Sequence, residues 1–178
     1  MSQFTITVDD LQVQNTLEYL AQRMGNVNPV LRAVGEGIIS RTKRRFETST
    51  GPDGTAWKPN SPATLALFQG GFGKSLFKKS GDLNKAGQAK LANKKPLIGE
   101  SRDLSRQFTV DVADGILTVG STVQNYAAIH QFGGQAGRGH KVTIPARPFL
   151  PIRSDGTLYP EEQNVVLAAL QDFLEQGL

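Results

Sequence analysis

Hydrophobic residues recur at intervals of three and four in three parts of the chain, a spacing that predicts amphipathic helices. The first helix follows an aspartate at position 9 or 10, which would cap it. Asn28 precedes a proline and is the predicted N-cap of a second helix, which runs to about Glu47. Pro160 opens the third helix. The predicted buried faces are Val13, Leu17, Leu20 and Met24 in the first helix, Leu31, Val34 and Ile38 in the second, and Val166, Leu170 and Phe173 in the third.

Alternation of apolar and polar residues predicts strands elsewhere. FTITV at 4–8 alternates and is rich in β-branched residues. The clearest signal lies at 106–120, where two alternating runs flank Asp114 and Gly115, a pair typical of a tight hairpin turn. KVTIPARPFLPI at 141–152 predicts a short extended segment, because its prolines exclude it from the middle of a sheet.

Glycine and proline mark the irregular parts of the chain. TSTGPDGTAWKP at 48–59 predicts a structured turn anchored by Trp57, and the next residues predict a short helix through Phe68. Residues 69–95 contain seven lysines among 27 residues and one acidic residue, so they predict a long, flexible, basic insertion. Gly35 and Gly37 weaken the second helix and predict close approach of another backbone.

These elements predict an α+β fold in a single domain spanning 1–178. A small antiparallel sheet, made of the hairpin at 106–120 and edge strands, is packed by two N-terminal helices and the C-terminal helix. At 178 residues and 38% hydrophobic content, the chain is long and apolar enough to bury one core.

The net charge of +4 is unevenly distributed. Residues 1–107 carry +7 and residues 108–178 carry −3. A basic front half suits contact with nucleic acid, and equally suits electrostatic docking between protein subunits. The absence of cysteine excludes disulfides, a thiolate nucleophile and Cys-ligated metals. We find no secretory signal and no apolar run long enough to cross a membrane, so no membrane contact is expected.

Candidate catalytic motifs are incomplete. GGFGKS at 70–75 lacks the first glycine of a phosphate loop, since Phe68 occupies that position. His130 and His140 are the only histidines, and neither belongs to a metal-binding spacing. We therefore expect no enzymatic activity, no cofactor and no metal. His130 is predicted to be a partly buried ring that hydrogen-bonds a backbone carbonyl and braces a packed turn.

Five motifs, in order along the chain and followed by a C-terminal amphipathic helix, carry a family resemblance. They are RTKRRFETSTGPDGTAWKP at 41–59, SPATL at 61–65, PLIGESRDLSRQFTVDVADGILTVGS at 96–121, YAAIHQFGG at 126–134 and IPARPFL at 144–150. With these motifs the chain resembles the phage virion morphogenesis proteins, the Mu-like tail completion family. The resemblance covers roughly 1–65 and 96–178. Two departures are the lysine-rich insertion and Arg102-Asp103-Leu104, where the family tends to show Gly-x-Leu.

The resemblance implies a structural protein that completes the tail and supports head–tail joining through protein–protein contacts. The implied partners are other tail or neck proteins, namely the tail terminator, tail tube and head connector, together with further copies of the chain in a homo-oligomeric ring. The implied location is the virion tail or neck, after assembly in the cytoplasm of the bacterial host. The alternative is a small basic protein that makes non-specific contact with DNA through its Lys/Arg-rich region at 41–95.

The candidate residues fall into two groups. Those expected to contact partners are Arg41, Lys43, Arg44, Arg45, Lys74, Lys78, Lys79, Arg138 and Arg147. Those expected to hold the structure together are Trp57, Tyr126, His130, Phe132, Gly133, Gly134, Pro148 and Phe149.

Overall fold

The computed structural model describes residues 11–123 and 126–176. The strand predicted at 4–8 and the helix cap predicted at position 9 or 10 lie outside these residues. The described helices are α1 (Leu11–Met24), α2 (Asn28–Thr48), α3 (Pro62–Gly70), α4 (Lys85–Ala92), α5 (Asp103–Arg106), α6 (Ala127–Phe132) and α7 (Pro160–Glu175). The strands are β1 (Phe108–Ala113), β2 (Ile116–Ser121), β3 (Gly134–Ala136) and β4 (Val142–Ile144). The α+β class is confirmed.

The hairpin predicted from sequence is present. β1 and β2 pair antiparallel, with Val110 opposite Val119. The turn places Asp114 and Gly115 at φ of 52° and 72°, the left-handed conformation that this pair adopts readily. The hairpin lies against α2, where Gly35 provides the contact surface. A Cβ at Gly35 would lie 2.7 Å from a methyl group of Val110, so hairpin side chains, rather than another backbone, explain this glycine.

Helix α2 is the centre of the fold. Its buried residues Val30, Val34 and Ile38 contact the hairpin through Leu117 and Val119. The same three residues contact α7 through Val166, Ala169, Leu170 and Phe173, as the spacing in α7 predicted. The C-terminal helix therefore packs on α2 and shares this core with the hairpin. Helix α2 starts one residue before its proline, and its N-cap is Val27 rather than Asn28, with no side-chain cap.

The sheet differs from the prediction in one respect. Among the described residues, β1–β2 and β3–β4 form two separate two-stranded sheets rather than one sheet with edge strands. The second pair is three residues long on each strand and places Gly134 opposite Ile144. Gly133 precedes β3 and Pro145 follows β4, and both residues disfavour continuation of this ladder.

Residues 69–95 are not an unbroken loop. A single 3-10 turn at Lys74–Leu76 is followed by an isolated bridge between Phe77 and Leu83 and then by α4. The Asn84 side chain caps α4 by accepting from the Gly87 N–H at 3.0 Å. The Asn84 cap thus favours helix α4, which the spacing of hydrophobic residues does not predict. The flexibility predicted for this segment stays a prediction.

Candidate interaction surface

The segment 144–152 is held in place by one buried glutamine. Gln131, at the end of α6, is 3% exposed. Its Oε1 accepts from the N–H groups of Phe149 and Leu150, both at 2.9 Å. Its Nε2 donates to the carbonyl groups of Leu150 and Ile152 at 3.0 and 2.9 Å. A proline-rich segment cannot satisfy its polar groups in a sheet, and this amide takes the place of a neighbouring strand.

Two further side chains attach the same segment to the loop around Trp57. Arg147 is 7% exposed, and its guanidinium donates to the carbonyls of Lys58 and Pro59, each at 2.8 Å. Trp57 Nε1 donates to the Pro148 carbonyl at 2.9 Å. Burial lowers the pKa of Arg147, although a guanidinium remains charged at any physiological pH. The motifs YAAIHQFGG and IPARPFL are therefore parts of one folded unit, together with the loop around Trp57.

An aromatic cluster fills the space beneath this unit. Phe149 is fully buried, and its ring centroid lies 5.3 Å from that of Phe46. Phe46 in turn meets Trp57 edge to face at 5.3 Å. Leu104 completes the buried set. Trp57, Pro148 and Phe149 thus lie where a structural role requires.

The basic cluster at the end of α2 is divided between core and surface. Arg45 is 7% exposed and forms an ion pair with Glu162 of α7, and it also donates to the Phe149 carbonyl at 2.9 Å. Arg41 makes a bidentate contact with the same carboxylate: its Nε donates to Oε1 at 3.1 Å and its Nη2 donates to Oε2 at 2.8 Å. Burial lowers the pKa of Arg45, and the charge of Glu162 opposes that shift. Lys43 and Arg44 are exposed.

Two predicted partner contacts therefore need correction. Arg45 and Arg147 are buried, and their donors are taken up by groups of the same chain. Arg41 is partly exposed but bound to Glu162. The exposed candidates are Lys43, Arg44, Lys74, Lys78, Lys79 and Arg138. Of these six residues, only Lys43 lines the basic groove described below.

His130 differs from its predicted role. Its Nδ1 is buried and has no hydrogen-bond partner among the described residues, so the ring does not bond a backbone carbonyl through that atom. Its backbone carbonyl instead accepts from the Arg147 N–H at 2.8 Å. Burial, and then the charge of Arg147, lower the pKa of His130. Both effects favour the neutral form of the ring.

The YAAIHQFGG motif forms a short helix rather than a packed turn. Tyr126 and Phe132 are 40% and 46% exposed, so they do not form the packed interior that the spacing predicted. Gly133, at φ 75°, ends α6, and a Cβ there would lie 2.9 Å from the Ala146 nitrogen. Gly134 begins β3. The glycines thus bring α6 and the segment 144–152 close enough for Gln131 to bridge them.

An open apolar groove of about 860 Å³ runs beside this unit, and we call it the apolar groove. It is lined by α3, residues 94–99, α6 and β4. Three large side chains on its walls face solvent: Leu67 is 81% exposed, Val142 53% and Tyr126 40%. His130 and Arg147 form part of the wall. Clustered exposed apolar residues are typical of a protein–protein contact surface.

A second groove of about 670 Å³, the basic groove, lies on the other side of residues 94–99. Its lining contains two carboxylates, Glu47 and Glu100. It contains six cationic residues, Lys43, Lys90, Lys94, Lys95, Arg102 and Arg106. Both grooves share Lys94, Lys95, Ile98 and Gly99, so they form one continuous surface.

Within residues 11–123 and 126–176, no group of three or more His, Asp or Glu side chains could hold a metal ion. No helix in the described part of the chain is long and apolar enough to cross a membrane.

Comparison with known proteins gives relatives for the chain. The model of the phage virion morphogenesis family matches residues 8–174. The Mu-like prophage FluMu G protein 2 of Haemophilus influenzae is 31% identical over 164 residues, covering 92% of this chain and 90% of that protein. No solved structure matches significantly.

Proposed function

Because the chain belongs to the phage virion morphogenesis family, we propose that it completes the tail and supports the joining of head and tail. Membership of the family makes virion assembly its general role. The finer role rests on the resemblance of its motifs to tail completion proteins and on its likeness to a protein of a Mu-like prophage. The proposed partners are tail or neck proteins, such as the tail terminator, tail tube or head connector.

The apolar groove is the observation that carries the proposal. Leu67, Tyr126 and Val142 are held at its walls by α3, α6 and β4, and all three are exposed in the single chain. Burying such side chains against a partner would contribute about 25 cal/mol for each Å² of apolar surface. Gln131 and Arg147 hold together the folded unit that supports this groove, namely α6, the segment 144–152 and the loop around Trp57. The groove surface therefore needs little reorganisation when a partner binds.

We propose that the protein acts without catalysis. His130, the histidine of the family motif, has no carboxylate or hydroxyl within hydrogen-bond distance of its Nδ1 among the described residues. Its ring contacts Tyr126 edge to face at 6.0 Å. A general base needs a group that orients it and a group that it deprotonates. An assembly role requires neither.

Deleting the gene from a phage or prophage that carries it tests this function. We expect micrographs of the lysate to show filled heads and finished tails that are not joined, and a plasmid copy of the gene to restore joined particles. Normal infectious particles from the deletion strain would contradict the proposal. A lysate that lacks filled heads altogether would contradict it too, because it would place the protein in head assembly.

Non-specific DNA contact is the second candidate, and the basic groove supports it. A DNA-binding role predicts that affinity for duplex DNA falls steeply as salt concentration rises. It also predicts that substitutions in the groove reduce that affinity for all sequences alike.

A further inference from the structure

The basic groove has a complementary surface on the same chain. Helix α7 contains no lysine or arginine. Its carboxylates are Glu161, Glu162, Asp172 and Glu175, and only Glu162 is buried against α2. The other three are exposed and form no ion pair with any described residue.

The exposed carboxylates of α7 lie along one side of the helix. Glu161, Val165, Asp172 and Glu175 follow one another at intervals of four, seven and three, which places them on one stripe. Val165 is 45% exposed, so the stripe combines carboxylates with an apolar side chain. The opposite face carries Val166, Leu170 and Phe173 and is buried on α2. The acidic stripe is therefore exposed on a helix that is packed on α2, and Val165 and Asp172 also border the cleft between the two helices.

The basic groove matches this stripe in charge and in polarity. Six cationic residues against two carboxylates leave it strongly positive. Phe68 and Ile98 line it as well, which suits an apolar side chain between flanking carboxylates. Lys90 and Lys94 lie 4.7 and 4.6 Å from the ring centroids of Phe72 and Phe68, so the aromatic rings help to position both ammonium groups.

The backbone at Arg102 adds to the case for a contact. Arg102 adopts φ 59°, a left-handed conformation that costs a residue with a Cβ free energy. Its side chain is exposed on the groove wall and makes no hydrogen bond with a described group. A strained residue with no internal partner is typical of a site that acts on another molecule.

We propose that the acidic stripe of α7 in one copy of the chain docks in the basic groove of the next copy. The helix cannot reach the groove of its own chain, because it is packed on Val30, Val34 and Ile38 of α2. The contact joins two different surfaces, so each copy offers a free groove and a free helix, and association continues until the arrangement closes. Phe68 and Ile98 in the groove suit a helix face that carries an apolar side chain better than they suit a DNA backbone. This inference rests on the proposed assembly role and assigns a second copy of the chain as the partner of the basic groove.

Charge-reversal variants test the contact in the full-length protein. Lys43→Glu with Arg106→Glu reverses two exposed groove residues, and Asp172→Lys with Glu175→Lys reverses two residues of the stripe. The stripe variant places cations at a helix C-terminus, where the helix dipole favours them. Glu36→Lys with Asp111→Lys is the matched control, since both residues are exposed and line neither surface. Circular dichroism and thermal melting establish that each variant is folded.

The readout is molecular mass by sedimentation over a range of protein and salt concentrations. The wild-type and control proteins should associate at low salt, and each reversed variant should associate at least tenfold more weakly. Mixing the two reversed variants brings one intact groove together with one intact stripe, so the mixture should associate although neither variant does so alone. That rescue distinguishes a groove-to-helix contact from a general loss of association in each variant.

Three results would overturn the inference. The wild-type protein could remain monomeric at every concentration and salt level. The reversed variants could associate as the wild type does. The groove variant could lose affinity for duplex DNA while its self-association stays unchanged, which would make the groove a DNA site. In each case, joined particles made with the same variants in a phage would show that the proposed function stands while this contact fails.

Discussion

Gln131 binds the backbone of Phe149, 18 residues further along the chain: its Oε1 accepts from the Phe149 N–H at 2.9 Å. The same amide makes three more hydrogen bonds, with Leu150 and Ile152. We expect Gln131→Leu to destabilise the fold by about 2–4 kcal/mol, because it leaves several buried backbone groups without hydrogen-bond partners. Urea unfolding measures this free energy.

Gln163→Leu is the control for that experiment. Gln163 is exposed on α7, so its replacement should change the free energy of unfolding by less than about 0.5 kcal/mol. Gln131→Glu keeps the acceptor oxygen and removes the N–H donors, so we expect it to lower the free energy of unfolding as well. Equal stability of the Gln131 and Gln163 variants would show that the amide does not hold the segment.

Glu162 and Glu161 are adjacent but have opposite environments. Glu162 is 4% exposed and bound to both Arg41 and Arg45, whereas Glu161 is exposed. Glu162→Gln leaves the buried Arg45 without a counter-charge and should cost about 3 kcal/mol or more. Glu161→Gln should cost less than about 0.5 kcal/mol. Denaturant unfolding of the two variants side by side checks this, and a loss of the same size in both would contradict the buried ion pair.

Gly35 and Gly37 give a second matched pair, within α2. A Cβ at Gly35 would lie 2.7 and 2.8 Å from side-chain atoms of Val110 and Leu117. Gly35→Ala should therefore destabilise the protein by about 1–3 kcal/mol through overpacking. At Gly37 the nearest atom, at 3.1 Å, belongs to the flexible end of Arg41, so alanine should stabilise the helix by up to about 1 kcal/mol. Thermal melting distinguishes the two, and stabilisation by Gly35→Ala would show that the hairpin does not pack there.

Arg102 combines backbone strain with an exposed position. Glycine adopts φ 59° without steric cost, so Arg102→Gly should stabilise the fold by about 0.5–1 kcal/mol. It should also weaken self-association, because it removes one of the six cationic residues of the basic groove. Stability and sedimentation are measured on the same sample. If the variant gains stability and associates as tightly as the wild type, Arg102 does not take part in the contact between copies.

Stability at mildly acidic pH should depend on His130. Burial lowers its pKa in the folded protein, so the unfolded chain binds a proton more readily than the folded one. The folded state therefore loses stability as pH falls below the unfolded value of about 6.5. His130→Leu should lack this loss when unfolding is measured at pH 7.5 and 5.5. His140→Asn, at an exposed position with φ 54°, should keep it; an identical pH response in both variants would contradict the assignment.

The spacing of apolar residues was sufficient to predict the positions of α1, α2, α7 and the hairpin. Helices α2 and α7 and the hairpin each bury one face along a regular period. Met24, which the spacing placed on the buried face of α1, is instead 67% exposed. Arg45 lies seven residues after Ile38 and so continues the buried stripe of α2, a signal that its charge obscured. Gln131 had no such signal, since its partners are backbone groups of a segment about 20 residues away. Residues 69–95 were expected to be irregular because α4 depends on a local cap rather than on apolar periodicity.

The two grooves could not be predicted from sequence. Leu67, Tyr126 and Val142 lie far apart in the chain and come together only when α3, α6 and β4 meet. Of the six cations in the basic groove, Lys43 alone was a named candidate. The others stand on elements whose relative placement depends on the tertiary fold.

Reconstitution of particles in vitro tests the central claim most directly. Purified protein is added to a lysate from a phage that lacks the gene, and joined particles are counted by electron microscopy and by infectivity. Wild-type protein and Met24→Asp, whose residue is 67% exposed and outside the apolar groove, should restore joining. Leu67→Asp, 81% exposed within the groove, should fold normally and fail to restore it. Full activity of Leu67→Asp, or no restoration by the wild-type protein, would contradict the account.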